Sequence, residues 1–338
     1  MDPPLGAWTG KVSCWWEHVE EDLLSGAFAP WLRSPYYIGE IDGEVAGYMT
    51  CLIPARNPEV GLVEFVYTAE EHRRKGVGTA LLRQLIARFE ANGGLALYLC
   101  TTGPGAGRLY ESCGFDYFVG DGMRCLSEAA GDFDAGYLAR AGDASVREAH
   151  WGDLPGASVL FCHPQPAWEI KEYLSHCFRG TRFEGHFTRL MRRVEEDRGL
   201  IVVLENPRRR VVGCAVAERL PTFHQQHVAQ LSFRVAPEYA DQTGELLDAA
   251  ASRAHRIGVC VLQAYAAEGD GDAGQALEQE GFELEAVLPR RLRTGNGLAG
   301  LAVYGRQLAE TGPRRPRHEY YGERRPWQTE RILAGERG

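Results

Sequence analysis

The stretch EEHRRKGVGTALLRQLI, Glu70 to Ile86, decides how this chain is read. Val77, Leu81, Leu82, Leu85 and Ile86 recur at helical spacing. Gly76 and Gly78 precede that apolar face, where a residue without a Cβ lets the backbone turn sharply and lets another group come close. Unpaired N–H groups and the dipole at a helix N-terminus favour an anion. Arg73, Arg74 and Lys75 add positive charge at the same place. Such a loop is a phosphate cradle.

The flanking sequence sets this loop in a mixed α/β frame. GLVEFVYT (61–68) reads as the strand that leads into it, and LALYLCTT (95–102) as the strand that follows its helix. Upstream, YYIGEIDGEVAGYMTC (36–51) alternates and breaks at Asp42-Gly43, a short hairpin signal. A helix is expected over Glu17–Leu24, inside a segment rich in aromatics (Trp8, Trp15, Trp16, Trp31, Tyr36, Tyr37), and no strand is read before Tyr36. Downstream, GPGAGRLYESCGF (103–115) reads as a short helix stopped at Gly114, and FDYFVG (115–120) as a last strand.

With 338 residues, the chain is long for one core and fits two. The theme indeed repeats. Ala106, Gly107, Glu111, Gly114 and Phe115 meet identical residues 167 positions on, at Ala273, Gly274, Glu278, Gly281 and Phe282. The same shift carries Ala69 to Ala236, Glu71 to Glu238 and Tyr98 to Tyr265. One constant offset across loop, strand and helix marks an internal duplication. It also shows what the second copy lacks: Arg73 maps to Ala240, Arg74 to Asp241, Gly76 to Thr243, Gly78 to Glu245 and Tyr110 to Leu277. Two carboxylates then stand where the first copy offers cations and bare backbone, and they repel an anion.

Composition narrows the function classes. The hydrophobic fraction of 44% is ordinary for a globular protein, and no apolar run approaches the roughly 20 residues of a membrane span. A net charge of −9 argues against a general nucleic-acid binder and suits an amine substrate. Nine cysteines without a CxxC pair fit a reducing cytoplasm, the expected location. His224 and His227 have no acid or cysteine at ligand spacing, so no metal site is expected.

Arg73-x-x-Gly76-x-Gly78, followed by Thr79-Ala80-Leu81-Leu82, resembles the acyl-CoA pyrophosphate loop of the GNAT N-acetyltransferases, with Glu70 where that family usually has proline. Ala106, Leu109, Tyr110, Gly114 and Phe115 resemble the family's A-x-x-L-Y-x-x-x-G-F helix. A dinucleotide fingerprint fits worse: Leu81 stands where its third glycine belongs, and LALYLC has no acidic residue.

The resemblance implies two tandem GNAT-like domains, each a mixed, mostly antiparallel sheet flanked by helices. Residues 1–126 would be the catalytic domain, 127–143 a loose linker, 144–309 a degenerate copy and 310–338 an Arg- and aromatic-rich extension. It implies acetyl-CoA as co-substrate, held by backbone groups of Val66, Tyr67 and Thr68 and by Arg73, Arg74, Lys75, Gly76, Val77, Gly78 and Thr79. Tyr110 would be the general acid to the leaving thiolate, since a phenol of pKa about 10 is protonated at neutral pH. Glu64, counted onto the face of Leu62 and Val66, would be the general base. Cys100 and Cys113 read as small apolar residues rather than nucleophiles.

The expected reaction is acetylation of a primary amine on a small metabolite by direct attack, without metal, nucleic acid or membrane. The chain would be a monomer with an internal pseudo-dimer, or a homodimer. A non-catalytic acyl-CoA sensor, a protein amine as acceptor and another acyl donor are the alternatives. The aromatic N-terminal segment and the loop Leu52–Val60 would line the acceptor pocket.

Overall fold

The computed structural model describes residues 14–162, 183–294 and 297–309. Among the described residues, helix α1 (Cys14–Leu24) opens the chain, followed by a two-residue strand β1 (Leu32–Arg33) and the hairpin β2 (Tyr36–Ile41) and β3 (Glu44–Pro54). The expected turn is there: Asp42 and Gly43 have φ of 54° and 83°, as the right-handed twist of a two-residue hairpin demands. β4 (Val60–Thr68) runs into the glycine loop and α2 (Val77–Ala91); β5 (Ala96–Cys100), α3 (Pro104–Glu111), β6 (Asp116–Val119) and β7 (Gly122–Leu126) complete the first half.

The chain then passes through the single turn α4 (Phe133–Gly136) to β8 (Ser145–Glu148), α5 (Leu154–Cys162) and α6 (Phe183–Glu195). β9 (Gly199–Glu205), β10 (Val211–Arg219), β11 (Val228–Val235), α7 (Thr243–Arg256), β12 (Val261–Ala267), α8 (Gly271–Gln279), β13 (Glu283–Thr294) and β14 (Gly297–Gln307) follow.

Two seven-stranded mixed sheets result, in orders β1-β3-β4-β5-β7-β6, with β2 also on β3, and β8-β9-β10-β11-β12-β14-β13. From the hairpin onward the orders are the same, with one parallel contact in each: β4 on β5, and β11 on β12. The offset of 167 residues holds in detail. Gly114 and Gly281 both have positive φ (94° and 73°). The amides of Phe115 and Phe282 close the same bond, back to the carbonyls of Tyr110 and Leu277. Among the described residues β8 has no counterpart in the first sheet.

Helix α5, LPGASVLFC, explains how the halves join. All nine of its residues are buried, as expected for a helix apolar all round. It packs on β10 and β11 of the second sheet and on β3 and β4 of the first. One core therefore contains Leu52, Leu62 and Tyr98 from one sheet, Leu160 from α5, and Val203 and Val216 from the other. A smaller core beneath α2 holds Met49, Val63, Leu82, Leu97 and Phe115.

The segment 127–143 is not loose. Phe133, Tyr137 and Leu138 are 2–4% exposed, because their apolar side chains supply part of the shared core. The loop 55–59 also reaches the second half: Asn57 donates to the Arg208 carbonyl at 3.2 Å, and Glu59 pairs with Arg210, while Pro58 lines a cavity with Ile53, Tyr37 and Arg88. The extension 310–338, Trp8 and the side chains of Trp15 and Trp16 lie outside the described residues.

Candidate active site

The site begins with a defect in pairing between β3 and β4. Tyr48 faces Tyr67 and Thr50 faces Glu64, so Met49 alone stands opposite both Phe65 and Val66. This is a β-bulge, and Phe65 adopts φ 51° to make it. The bulge overturns the simple alternation count for Glu64. Leu62 and Phe65 belong to the core shared with the second sheet, whereas Val63 and Val66 pack towards α2. Leu62 and Val66 therefore lie on opposite faces, and the Glu64 charge is felt by Tyr110 and Cys51 of the core beneath α2.

The same strand parts from its other neighbour. β4 pairs with β5 only over Val60–Leu62, although β4 continues to Thr68 and β5 to Cys100. Past Leu62 the two strands diverge into a cleft, and the backbone of Val66, Tyr67 and Thr68 has no β5 ladder to join. A chain with amide groups of its own, such as a pantetheine arm, fits along such an edge.

The glycine loop stands at the end of this cleft. Gly76 caps α2 with φ 84°, a left-handed conformation that glycine adopts without strain. The first intrahelical bond runs from the Ala80 amide to the Gly76 carbonyl, which leaves the amides of Val77, Gly78 and Thr79 without an intrahelical acceptor. Gly78 is required by proximity: a Cβ there would lie 3.1 Å from Leu109 of α3. Arg73 braces the loop, donating from Nε to the Thr68 carbonyl at 3.2 Å. Arg74 and Lys75 are exposed at the loop tip, and Arg74 turns the chain with φ 61°. Three free amides beside a cluster of cations suit a pyrophosphate.

Tyr110 is buried in the core beneath α2, 7% exposed, with its ring 6.0 Å from that of Phe115. Burial first, and the Glu64 charge second, push its hydroxyl up to about 12. The phenol thus stays protonated at neutral pH, within electrostatic reach of a carboxylate across the cleft. Glu64, Val66–Thr68, Arg73, Gly76–Thr79 and Tyr110 are brought together around the outer half of β4. Cys113 packs against the same core, its amide donating to the Tyr110 carbonyl at 2.9 Å, with its thiol 3.8 Å from the Ser112 hydroxyl.

The second copy differs where the offset said it would. Thr243 starts α7 with ordinary helical φ of −60°, and β11 pairs with β10 without a bulge from Gly213 to Arg219. Leu231 and Leu277 stand at the positions of Glu64 and Tyr110. Asp241 holds the guanidinium of Arg140 at 2.8 Å, and the Gln242 side chain bonds both the amide and the carbonyl of Ala144. Where the first loop carries cations, this one binds a cation from its own chain.

The bulge at Phe65, the buried Glu20 and the Arg140–Asp241 pair escape the sequence reading. EFVY carries no glycine to announce a bulge. Glu20 was in view, one residue from Val19 and three from Leu23 on the buried face of α1. Among the described residues no three His, Cys, Asp or Glu gather as a metal site, and no helix is long and apolar enough to cross a membrane.

A split strand pair, a glycine-capped helix start and a buried Tyr110 that feels the Glu64 charge thus meet at one end of the first sheet. Residues 7–115 match the model of the acetyltransferase (GNAT) family, which marks that stretch as a GNAT acetyltransferase domain. No curated protein matches the sequence.

Similar solved structures include a GNAT superfamily phosphinothricin acetyltransferase from Sinorhizobium meliloti in complex with acetyl-CoA. That similarity has 18% identity and a TM-score of 0.44, over 52% of this chain and 94% of that one. A spermidine N-acetyltransferase from Vibrio cholerae in complex with CoA and spermine has 12% identity and a TM-score of 0.40, over 49% and 96%. An N-acetyltransferase from Staphylococcus aureus Mu50 has 16% identity and a TM-score of 0.43, over 50% and 100%.

Proposed function

We propose that the first half of the chain transfers an acetyl group from acetyl-CoA to a primary amine of a small molecule, in a ternary complex and without a covalent enzyme intermediate. The amides of Val77, Gly78 and Thr79, with Arg74 and Lys75, hold the pyrophosphate, and the exposed edge of Val66–Thr68 holds the pantetheine arm. Acetyl-CoA supplies an activated thioester. Glu64 takes one proton from the attacking ammonium group; the amine nitrogen bonds the acetyl carbon as the carbon–sulfur bond breaks, and the second proton that nitrogen sheds replaces the one Tyr110 gives up. Tyr110 gives its proton to the departing thiolate. The observation that carries this reading is a buried Tyr110 that feels the Glu64 charge beside the α2 amides that no intrahelical bond uses.

The second half binds no acyl-CoA in this reading, since Asp241 and Glu245 stand at its loop. Its helix α5 closes the face of the first sheet instead. Calorimetry with acetyl-CoA on the full chain should give one site, lost in Gly76→Glu. Tyr110→Phe and Glu64→Gln should each lower kcat by about a hundredfold with acetyl-CoA affinity kept. Two sites would overturn the assignment of the second half. Unchanged turnover in both variants would remove the mechanism and leave an acyl-CoA binder.

A further inference from the structure

The first half carries a cavity that acetyl transfer does not use. It measures about 420 Å³, within the range of small-molecule sites, and lies between the start of β2, the end of β3 and the last turn of α2. Tyr37 and Phe89, 8% and 4% exposed, are its deepest residues. Half-buried Pro35, Ile53 and Pro58 give it apolar walls, and half-buried Ser34 adds a hydroxyl. Two guanidinium groups, Arg33 and Arg88, and the side-chain amide of Asn92 stand exposed at its mouth. No acidic residue is among those that line it, in a chain whose net charge is −9.

This cavity stands apart from the cleft. At 1.5 Å per residue, Arg88 lies about 16 Å along α2 from Val77. Ile53 lies about 10 Å along β3 from Thr50, the partner of Glu64. Two cations repel an ammonium group, so the place does not suit the amine that attacks acetyl-CoA. Nor does the end of α2 offer them its carbonyls. The Asn92 side chain donates to the Arg88 carbonyl at 2.6 Å, and the amides of Asn92 and Gly94 both close on the Phe89 carbonyl. Burial, with Cys51 adding to it, raises the Tyr37 phenol, and the Arg88 charge opposes the rise; the guanidinium therefore acts on a hydroxyl of the cavity.

The second half shows what such a helix end holds. The offset of 167 residues carries Phe89 to Arg256 and Arg88 to His255. There the cations at the end of α7, Arg253 and Arg256, hold the carboxylate of Glu148 at 3.2 and 3.1 Å. Glu148 comes from β8, the strand without a counterpart among the described residues of the first sheet.

We propose that the cavity binds a small organic carboxylate with an apolar body, its carboxylate held by Arg33 and Arg88 and its hydrocarbon part seated on Ile53 and Phe89, at a site separate from acetyl transfer. The ligand supplies at the end of α2 the group that Glu148 supplies at the end of α7. Guanidinium forks match the paired oxygens of a carboxylate. Inorganic phosphate would satisfy the forks but leave the apolar walls uncovered.

The test is calorimetry on the full chain with phenylacetate and with isovalerate as probes. At least one of the two acids should bind at one site, with the same affinity when acetyl-CoA is saturating. The neutral amide of that acid should bind about tenfold more weakly or worse, having lost the charge that strengthens its hydrogen bonds. Arg33→Gln and Arg88→Gln should each weaken the acid by a similar factor, with acetyl-CoA affinity unchanged as the check on the fold. Inorganic phosphate should bind more weakly than the acid. No binding of either acid, equal affinity for acid and amide, binding that survives both substitutions, phosphate bound as tightly as the acid, or displacement by acetyl-CoA each overturns the proposal.

Discussion

The guanidinium of Arg210 grips both carboxylate oxygens of Glu59 across the junction of the two halves, Nε to Oε2 at 2.7 Å and Nη2 to Oε1 at 3.0 Å. Its remaining nitrogen donates to the carbonyls of Gly136 and Tyr137 at 3.1 and 2.7 Å, and the group lies 4.5 Å from the Tyr137 ring. One side chain on the second sheet thus holds the loop before β4 and the segment that joins the halves.

Removing one member of a buried, fully bonded ion pair strands the other. The Arg210 side chain is 7% exposed and that of Glu59 29%. Arg210→Ala should destabilise the chain by about 3 kcal/mol, and Glu59→Gln by less, since the glutamine oxygen still accepts from Arg210 and the guanidinium keeps its bonds to the Gly136 and Tyr137 carbonyls. Urea unfolding of both single variants and the double variant would measure the coupling; a cycle that sums without interaction would reduce the pair to two independent contacts.

Gly47 faces Thr68 on the strand that carries the bulge. A Cβ there would lie 2.7 Å from the backbone carbonyl of Tyr67 and 3.2 Å from Val77 at the start of α2. Backbone cannot rotate aside as a side chain can. Gly47→Ala should therefore cost about 1–3 kcal/mol and also raise KM for acetyl-CoA, because it pushes the cleft strand outward. A thermal melt with steady-state kinetics checks both, and a loss of stability without a change in KM would separate this position from the cleft.

Tyr110 yields a prediction about alkaline stability. Its folded-state pKa, pushed up to about 12, lies above the unfolded value of about 10. A raised value means that the folded state keeps the proton longer. The associated stability is fully present below about pH 10 and is lost as pH rises from there to about 12. Tyr36, Tyr48, Tyr98 and Tyr137 are raised in the same direction by burial, so unfolding free energy should fall steeply over that interval. Tyr110→Phe should make the slope shallower; an identical slope would place the Tyr110 hydroxyl in water.

What the sequence made legible was local. The loop glycines, the Asp42-Gly43 turn, the Gly114 stop and the repeat at a constant offset are all backbone demands written in single residues. The strand Gly122–Leu126 was not read, since five residues between two glycine turns carry too little periodicity. Helix α5 escaped for a related reason: LPGASVLFC is apolar on every side and contains proline and glycine, so no face marks it as a helix. The Glu64 assignment shows the deeper limit. Which way a strand residue points is a count from its neighbours, and a single bulge, invisible in EFVY, changes the count.

Burial of α5 between the sheets has a consequence for synthesis. The first sheet is complete as a sequence at Leu126, yet one of its faces, with Leu52, Leu62 and Tyr98, is covered by residues that end at Cys162. At about 5–20 residues per second the gap is on the order of a few seconds. Through that interval the nascent first half leaves uncovered the part of that face, on β3 and β4, against which α5 later packs. The chain therefore depends on its ribosomal order: whatever slows translation between these positions lengthens exposure of the half that carries the chemistry.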